Sequence, residues 1–140
     1  MITRAWIFAA AVSLAGCSDR TDDEIRANVT LLINQEGQPA QTAADRLAGF
    51  GARAIPTIEA AMHTASPAGR KNLIAVLRKI GDAEAVPLLG HIAAFDASPD
   101  VRREAEWTLK QWAASGGARG DKAKAALRSL DEQRGREEAG

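Results

Sequence analysis

The chain has 140 residues, enough for one domain with an appendage. Lysine plus arginine equals aspartate plus glutamate at 18 each, so no global field points to nucleic acid or to an acidic substrate. Alanine is abundant, β-branched residues are sparse and tyrosine is absent, which favours helix over strand, while one cysteine excludes an internal disulfide framework and a multi-cysteine metal site.

Residues 1–17 read MITRAWIFAAAVSLAGC. Arg4 supplies a short positive start, residues 6–15 form an almost wholly apolar run, and small residues precede Cys17. This is the layout of an export signal, too short to span a bilayer stably. Leu14-Ala15-Gly16-Cys17 resembles the lipobox of bacterial lipoproteins. That resemblance implies a signal peptide over residues 1–16, cleavage before Cys17, diacylation of its thiol and acylation of the new amine. Each buried methylene contributes roughly 0.8 kcal/mol, so several chains together hold a protein firmly on a membrane. The other reading is an ordinary secretory signal with a chance cysteine, or a short uncleaved anchor. In enteric-type sorting an aspartate after the cysteine resembles an inner-membrane retention signal. Ser18 stands there instead, so the resemblance points to the periplasmic face of the outer membrane ahead of the inner membrane. Residues 17–23 are polar after the cysteine and are expected to form a lipidated tether.

Repeats organise the rest of the chain. LAGFGARAIPTIEAAM (47–62) aligns with LRKIGDAEAVPLLGHI (77–92): Leu47 with Leu77, Phe50 with Ile80, and Gly51 with Gly81, all 30 apart. One residue later, Ile55-Pro56 meets Val86-Pro87. Independently, SPAGRKNLIAVLRKI (66–80) aligns with SPDVRREAEWTLKQW (98–112), pairing Ser66-Pro67 with Ser98-Pro99, Arg70 with Arg102, Lys71 with Arg103, Leu77 with Leu109 and Ile80 with Trp112, all 32 apart. Each unit has the same grammar. A glycine ends one helix at positive φ, a proline sits in the first turn of the next, and Ser-Pro supplies an N-cap and first helical residue. Ile55, Ile58 and Met62, then Val86, Leu89 and Ile92, recur at helical spacing. One helical pair cannot cover its own apolar stripe, so neighbouring pairs must stack into a solenoid.

IGDAEAVPLLGHIA (80–93) followed by SPDVRREAEWTL (98–109) resembles HEAT-type repeats, especially the short bacterial HEAT-like repeats of about 30 residues. Gly81, Asp82, Val86, Pro87, Leu88 and Leu89 match the first part of that pattern; Asp100, Val101, Arg102 and Ala105 match the second. Unit 51–80 matches less well, with Gly69 where Val101 stands and Leu73 where Ala105 does. Residues 24–50 form a degenerate first unit, with helices expected over 24–35 and 42–50. The expectation is an all-α fold: a short right-handed solenoid of about three HEAT-like pairs over residues 24–113.

Residues 114–120 (ASGGARG) read as a linker. Residues 121–134 read as one more helix, with Asp121 as N-cap and Ala123, Ala126, Leu127 and Leu130 on one face. A solenoid needs an end apolar on one side only, so this helix is expected to be a cap, with partner binding as the alternative. Residues 135–140 are expected to be a disordered tail.

No catalytic constellation emerges. His63 and His91 have no carboxylate or cysteine at ligand spacing, and Asp96 lies off the face of His91. SGGARG lacks the preceding strand and the lysine-serine pair of a phosphate loop. No catalytic residue, metal or cofactor is expected.

What remains is surface. Stacking sets Arg70 over Arg102, Lys71 over Arg103 and Arg78 over Lys110, a basic ladder on the second helices, which line the concave face of HEAT-like solenoids. The resemblance implies that Arg70 and Arg102 pair with an acidic residue of a neighbouring loop, with Asp82 and Asp100 as the choices. At about 100° per residue, Val101, Ala105, Leu109 and Trp112 fall within about 80° of arc, and Trp107 lies opposite them near Arg103 and Lys110. A tryptophan among cations is an interface anchor unless the C-terminal helix covers it. Lys71, Arg78, Arg103, Trp107 and Lys110 are thus the candidate partner-binding residues. The expected role is a membrane-anchored binding or scaffolding module of the bacterial cell envelope, not an enzyme. Its expected partners are the membrane, through Cys17, and an envelope protein, without nucleic acid. The alternatives are a permanent accessory subunit of an envelope complex, or a sensor of polyanions or small ligands on the basic face.

Overall fold

A computed structural model describes the backbone of residues 16–140 and the side chains from Asp19 onward. The expected signal peptide, apart from Gly16, and the side chain of Cys17 lie outside the described residues. Seven α-helices succeed one another: α1 (Gly16–Asn34), α2 (Gln38–Phe50), α3 (Ile55–Met62), α4 (Pro67–Ile80), α5 (Val86–Phe95), α6 (Pro99–Ser115) and α7 (Gly117–Ala139). Two 3₁₀ turns, Gly51–Ala54 and Ala83–Ala85, lead into α3 and α5. The described residues contain no strand.

The punctuation read from the sequence sets these boundaries. Gly51 (φ 60°) comes after α2 and Gly81 (φ 67°) after α4, the latter left-handed and donating its N–H to the Leu77 carbonyl at 3.0 Å. Either position would strain any residue with a Cβ. Pro39, Pro56, Pro67, Pro87 and Pro99 all occupy first turns, where a missing N–H costs nothing. Ser66 caps α4 by accepting from the Gly69 N–H at 3.1 Å. Ser98 holds the same position before α6, but its hydroxyl makes no capping bond; its N–H instead donates to Asp96 Oδ1 at 2.9 Å.

The helices pair as α1/α2, α3/α4 and α5/α6, and the second helices α2, α4 and α6 pack side by side in one row. The core runs between this row and the first helices. It takes Ile25, Val29 and Leu32 from α1, Leu47 from α2, and Ile58 from α3. Leu73, Ile74 and Leu77 enter from α4, Leu89 from α5, and Val101, Leu109 and Trp112 from α6. The fold is therefore an all-α solenoid of three helix pairs, closed by α7 against α5 and α6. The degenerate first unit is a full structural unit. Its spacing departs from the others because Gly37 and Pro39 replace Ser-Pro, so α2 starts at Gln38 and not at residue 42.

Three helices run beyond their expected limits. Residues 17–23, expected as a tether, lie within α1, where Asp19 occupies the favourable first turn. Asp22 there accepts from Arg53 Nη2 at 3.1 Å, tying α1 to the turn before α3. The expected linker 114–120 shrinks to a break at Gly116, which at φ 72° ends α6 before α7 begins at Gly117. At Gly120 a Cβ would stand 3.0 Å from the Trp112 carbonyl oxygen, so glycine permits the close return of α7 onto α6. The expected tail 135–140 is helical to Ala139, because residues 136–139 are helix formers and one Gly135 costs only about 1 kcal/mol.

Candidate interaction surface

Both arginines placed in the loop ladder bond to loop groups, but their partner differs from expectation. Arg70 donates Nε to Asp96 Oδ2 at 2.8 Å and Nη2 to Asp96 Oδ1 at 3.0 Å, a two-pronged pair spanning the second and third units. Its Nη1 donates to the Ala65 carbonyl at 2.7 Å, closing the end of its own unit's loop. Arg102 repeats only the second half, with Nη1 donating to the Asp96 carbonyl at 2.5 Å. Neither Asp82 nor Asp100 takes part. Asp82 Oδ1 accepts from the Glu84 N–H at 2.8 Å, capping the turn before α5, and Asp100 pairs with Arg103 one turn along α6. Their side chains are spent on local capping and local charge, which leaves the α5–α6 loop to supply the carboxylate.

Along the row α2, α4, α6 and on to α7, each seam carries an ion pair. Asp45 of α2 holds Lys79 of α4; Arg78 of α4 holds Glu104 of α6 at 2.8 Å; Glu106 of α6 holds Arg134 of α7 at 2.6 Å. The basic ladder is thus largely neutralised. Lys110 is paired with Glu106 at 2.7 Å, and of the five candidate binding residues only Lys71 and Trp107 lack a carboxylate partner among the described residues. Trp107 is 47% exposed, so α7 leaves nearly half of it in solvent. The guanidinium of Arg78 stands over its ring, 4.8 Å from the centroid, while Glu104 holds that guanidinium from the side. The cation over the ring favours this orientation of the indole.

Beside this pair lies a trough between α2 and α4. Two adjoining cavities of about 410 and about 310 Å³ share Gln41, Ala44 and Ala75, and Arg78 and Lys79 border the second. Small side chains, Ala40, Ala44, Ala68 and Ala75 among them, line this trough.

The α6–α7 seam carries a carboxyl whose charge is held by its neighbours. Hydrogen bonds from Arg134 and Lys110 hold the Glu106 carboxyl down at about 2, below its ordinary value of 4.5. A carboxyl depressed on folding contributes stability that is complete above the unfolded value and is lost as pH falls through the folded one. The docking of α7 is therefore expected to weaken between about pH 4.5 and about pH 2. Comparing acid unfolding of the natural chain with Glu106→Gln by circular dichroism checks this. The variant should lose part of that dependence.

Two further side chains escaped sequence reading. Arg119 of α7 donates Nη1 to the Gly81 carbonyl at 2.8 Å, 38 positions back, and lies over the Trp112 ring at 5.1 Å. It pins the cap to the second unit. Phe95 is 62% exposed, against the His91 ring at 5.1 Å, on a groove of about 310 Å³ between α3 and α5 that His63 also borders. Among the described residues, no three His, Cys, Asp or Glu side chains are grouped to hold a metal, and no helix is long and apolar enough to cross a membrane.

A family model for HEAT repeats matches residues 25–110, more than half of the chain, from the buried Ile25 of α1 into α6. No curated protein and no solved structure matches the chain.

Proposed function

The chain belongs to the HEAT-repeat family, and from that premise we propose that it is a protein-binding scaffold of the bacterial cell envelope, anchored by lipid at Cys17. Repeats of this family commonly mediate protein–protein interaction, and no chemistry is assigned to this one. The row of second helices reads the partner. The observation that carries this is Trp107, a large apolar side chain 47% exposed, oriented by Arg78 and set near the alanine-lined trough. Tryptophan and arginine are the residue types that anchor interfaces. Trp107 with Lys71, unpaired among the described residues, favours a partner with an apolar spot and an acidic group beside it. Neutralisation of Arg78, Lys79, Arg103 and Lys110 by carboxylates weighs against a polyanion sensor. The anchor rests on the lipobox resemblance of residues 14–17 and on the position of Cys17 at the start of α1.

The test is affinity capture of the full chain extracted from its own membranes in mild detergent. Trp107→Ala is expected to reduce recovery of the main partner by about tenfold or more, the effect of removing an interface anchor. Cys17→Ser is expected to abolish incorporation of labelled fatty acid and to release the chain from the membrane fraction. Full partner recovery by Trp107→Ala removes the proposed face. Unchanged labelling of Cys17→Ser removes the anchor.

A further inference from the structure

The arginine ladder has an open rung at Arg102. The residue four positions after the N-cap of each second helix is Gln41, Arg70 and Arg102 in turn. The facing position in the next unit, two residues before its N-cap, is Thr64 for Gln41 and Asp96 for Arg70. Arg70 thus faces a carboxylate, whereas Gln41 faces the neutral Thr64. Arg70 shows what the position binds: Nη1 closes its own loop, and Nε with Nη2 grips the carboxylate at 2.8 and 3.0 Å. Arg102 uses Nη1 in the same way, on the Asp96 and Ala97 carbonyls. Its Nε and Nη2 make no bond among the described residues.

The reason lies in α7, which stands in the place of a first helix beside α6. Its buried Ala123 and Leu130 correspond to Val86 and Ala93 of α5, 37 positions earlier, which puts Gln133 where Asp96 stands. α5 turns into its loop there, but α7 runs on to Ala139. Neutral Gln133 therefore replaces the expected acid. What is left is a cavity of about 270 Å³ bordered by Ala93, Phe95, Arg102, Gln133, Arg134 and Glu137. Arg134 is already held by Glu106, and Glu137 forms no ion pair with Arg102.

The geometry points to this cavity as a carboxylate site, filled by an aspartate-bearing loop of a partner protein that supplies to Arg102 what Asp96 supplies to Arg70. The occupant is a carboxylate carried on a turn among small residues, as Asp96 is carried between Phe95 and Ala97, with an apolar neighbour against Phe95. Trp107 does not line this cavity, so the site is tested separately from the face proposed above.

The test uses the full chain in detergent and two capped peptides. One copies residues 93–99, AAFDASP; the other carries asparagine in place of the aspartate. The Nε–Hε resonances of Arg102 and Arg70 are tracked by NMR. The aspartate peptide is expected to shift Arg102 and leave Arg70, already filled, unmoved. The asparagine peptide should bind at least about tenfold more weakly, as a neutral single acceptor does against a charged fork. Arg102→Lys keeps a donor for the Asp96 carbonyl but lacks the fork, and should lose the preference for aspartate. Glu137→Gln should bind the peptide as well as the natural chain or better. An unmoved Arg102 resonance overturns the proposal. So does a response appearing only in Glu137→Gln, which would make Glu137 the native occupant. Acetate binding as tightly as the peptide overturns the choice of a protein loop and leaves a site for free carboxylates.

Discussion

Asp96→Ala is expected to destabilise the fold by about 3 kcal/mol, lowering the melting temperature by roughly 10 °C for a domain of this size. The Arg70 and Asp96 side chains are only 16% and 9% exposed, so the loss is not that of a surface pair. Removing the carboxylate leaves a shielded guanidinium with one remaining bond, to Ala65, and frees the Ser98 N–H as well. Desolvation of the stranded charge sets the size of the effect. Asp100→Ala is the control. Its pair with Arg103 is exposed and lies within one turn of one helix, so it should change stability by less than about 0.5 kcal/mol. Thermal melts and urea titrations of both variants decide the matter. Equal effects would mean that the second and third units are joined by apolar packing alone.

Leu77→Ala should cost about as much, near 3 kcal/mol, by a different route. Leu77 is fully buried in α4, the helix that touches both α2 and α6. Truncation removes apolar contact and opens a void that tightly packed neighbours fill poorly. In a stacked array each unit leans only on the next, so damage to the middle helix weakens both sides at once. Urea unfolding should show a lowered midpoint with an unchanged slope if the chain still unfolds as one body. Leu31, 41% exposed on α1, should tolerate alanine with a change under about 0.5 kcal/mol.

Much of the fold is legible in the sequence because its signals are local. Gly51, Gly81, Pro56, Pro87 and Ser66 act through the φ they permit, the N–H they lack or the cap they provide, and each sits at the boundary expected of it. The first unit is harder to read because Gly37 and Pro39 perform the Ser-Pro task with different letters. The cap reads too short because glycines count as breakers in a sequence, whereas Gly120 serves close approach and Gly135 lies inside a helix. The site is half legible. Helical angles alone put Trp107 outside the core stripe. They could not say that Arg78, 29 positions earlier, would lie over its ring. Nor could they choose Asp96 over Asp82 and Asp100, because that depends on how far one pair is displaced along the next. Arg119 reaching Gly81 across 38 positions belongs to the same class of long-range contact, invisible to spacing.

The seam charges along α2, α4, α6 and α7 also make the order of units non-interchangeable. α4 shows Lys79 to the helix before it and Arg78 to the helix after it; α6 shows Glu104 backward and Glu106 forward. A duplicated α4 would set cation against cation, and a duplicated α6 would set anion against anion. Only the native succession alternates sign at every junction. Repeating α4 or α6 within the row would therefore place like charges across one seam, a local penalty of the size of an exposed ion pair.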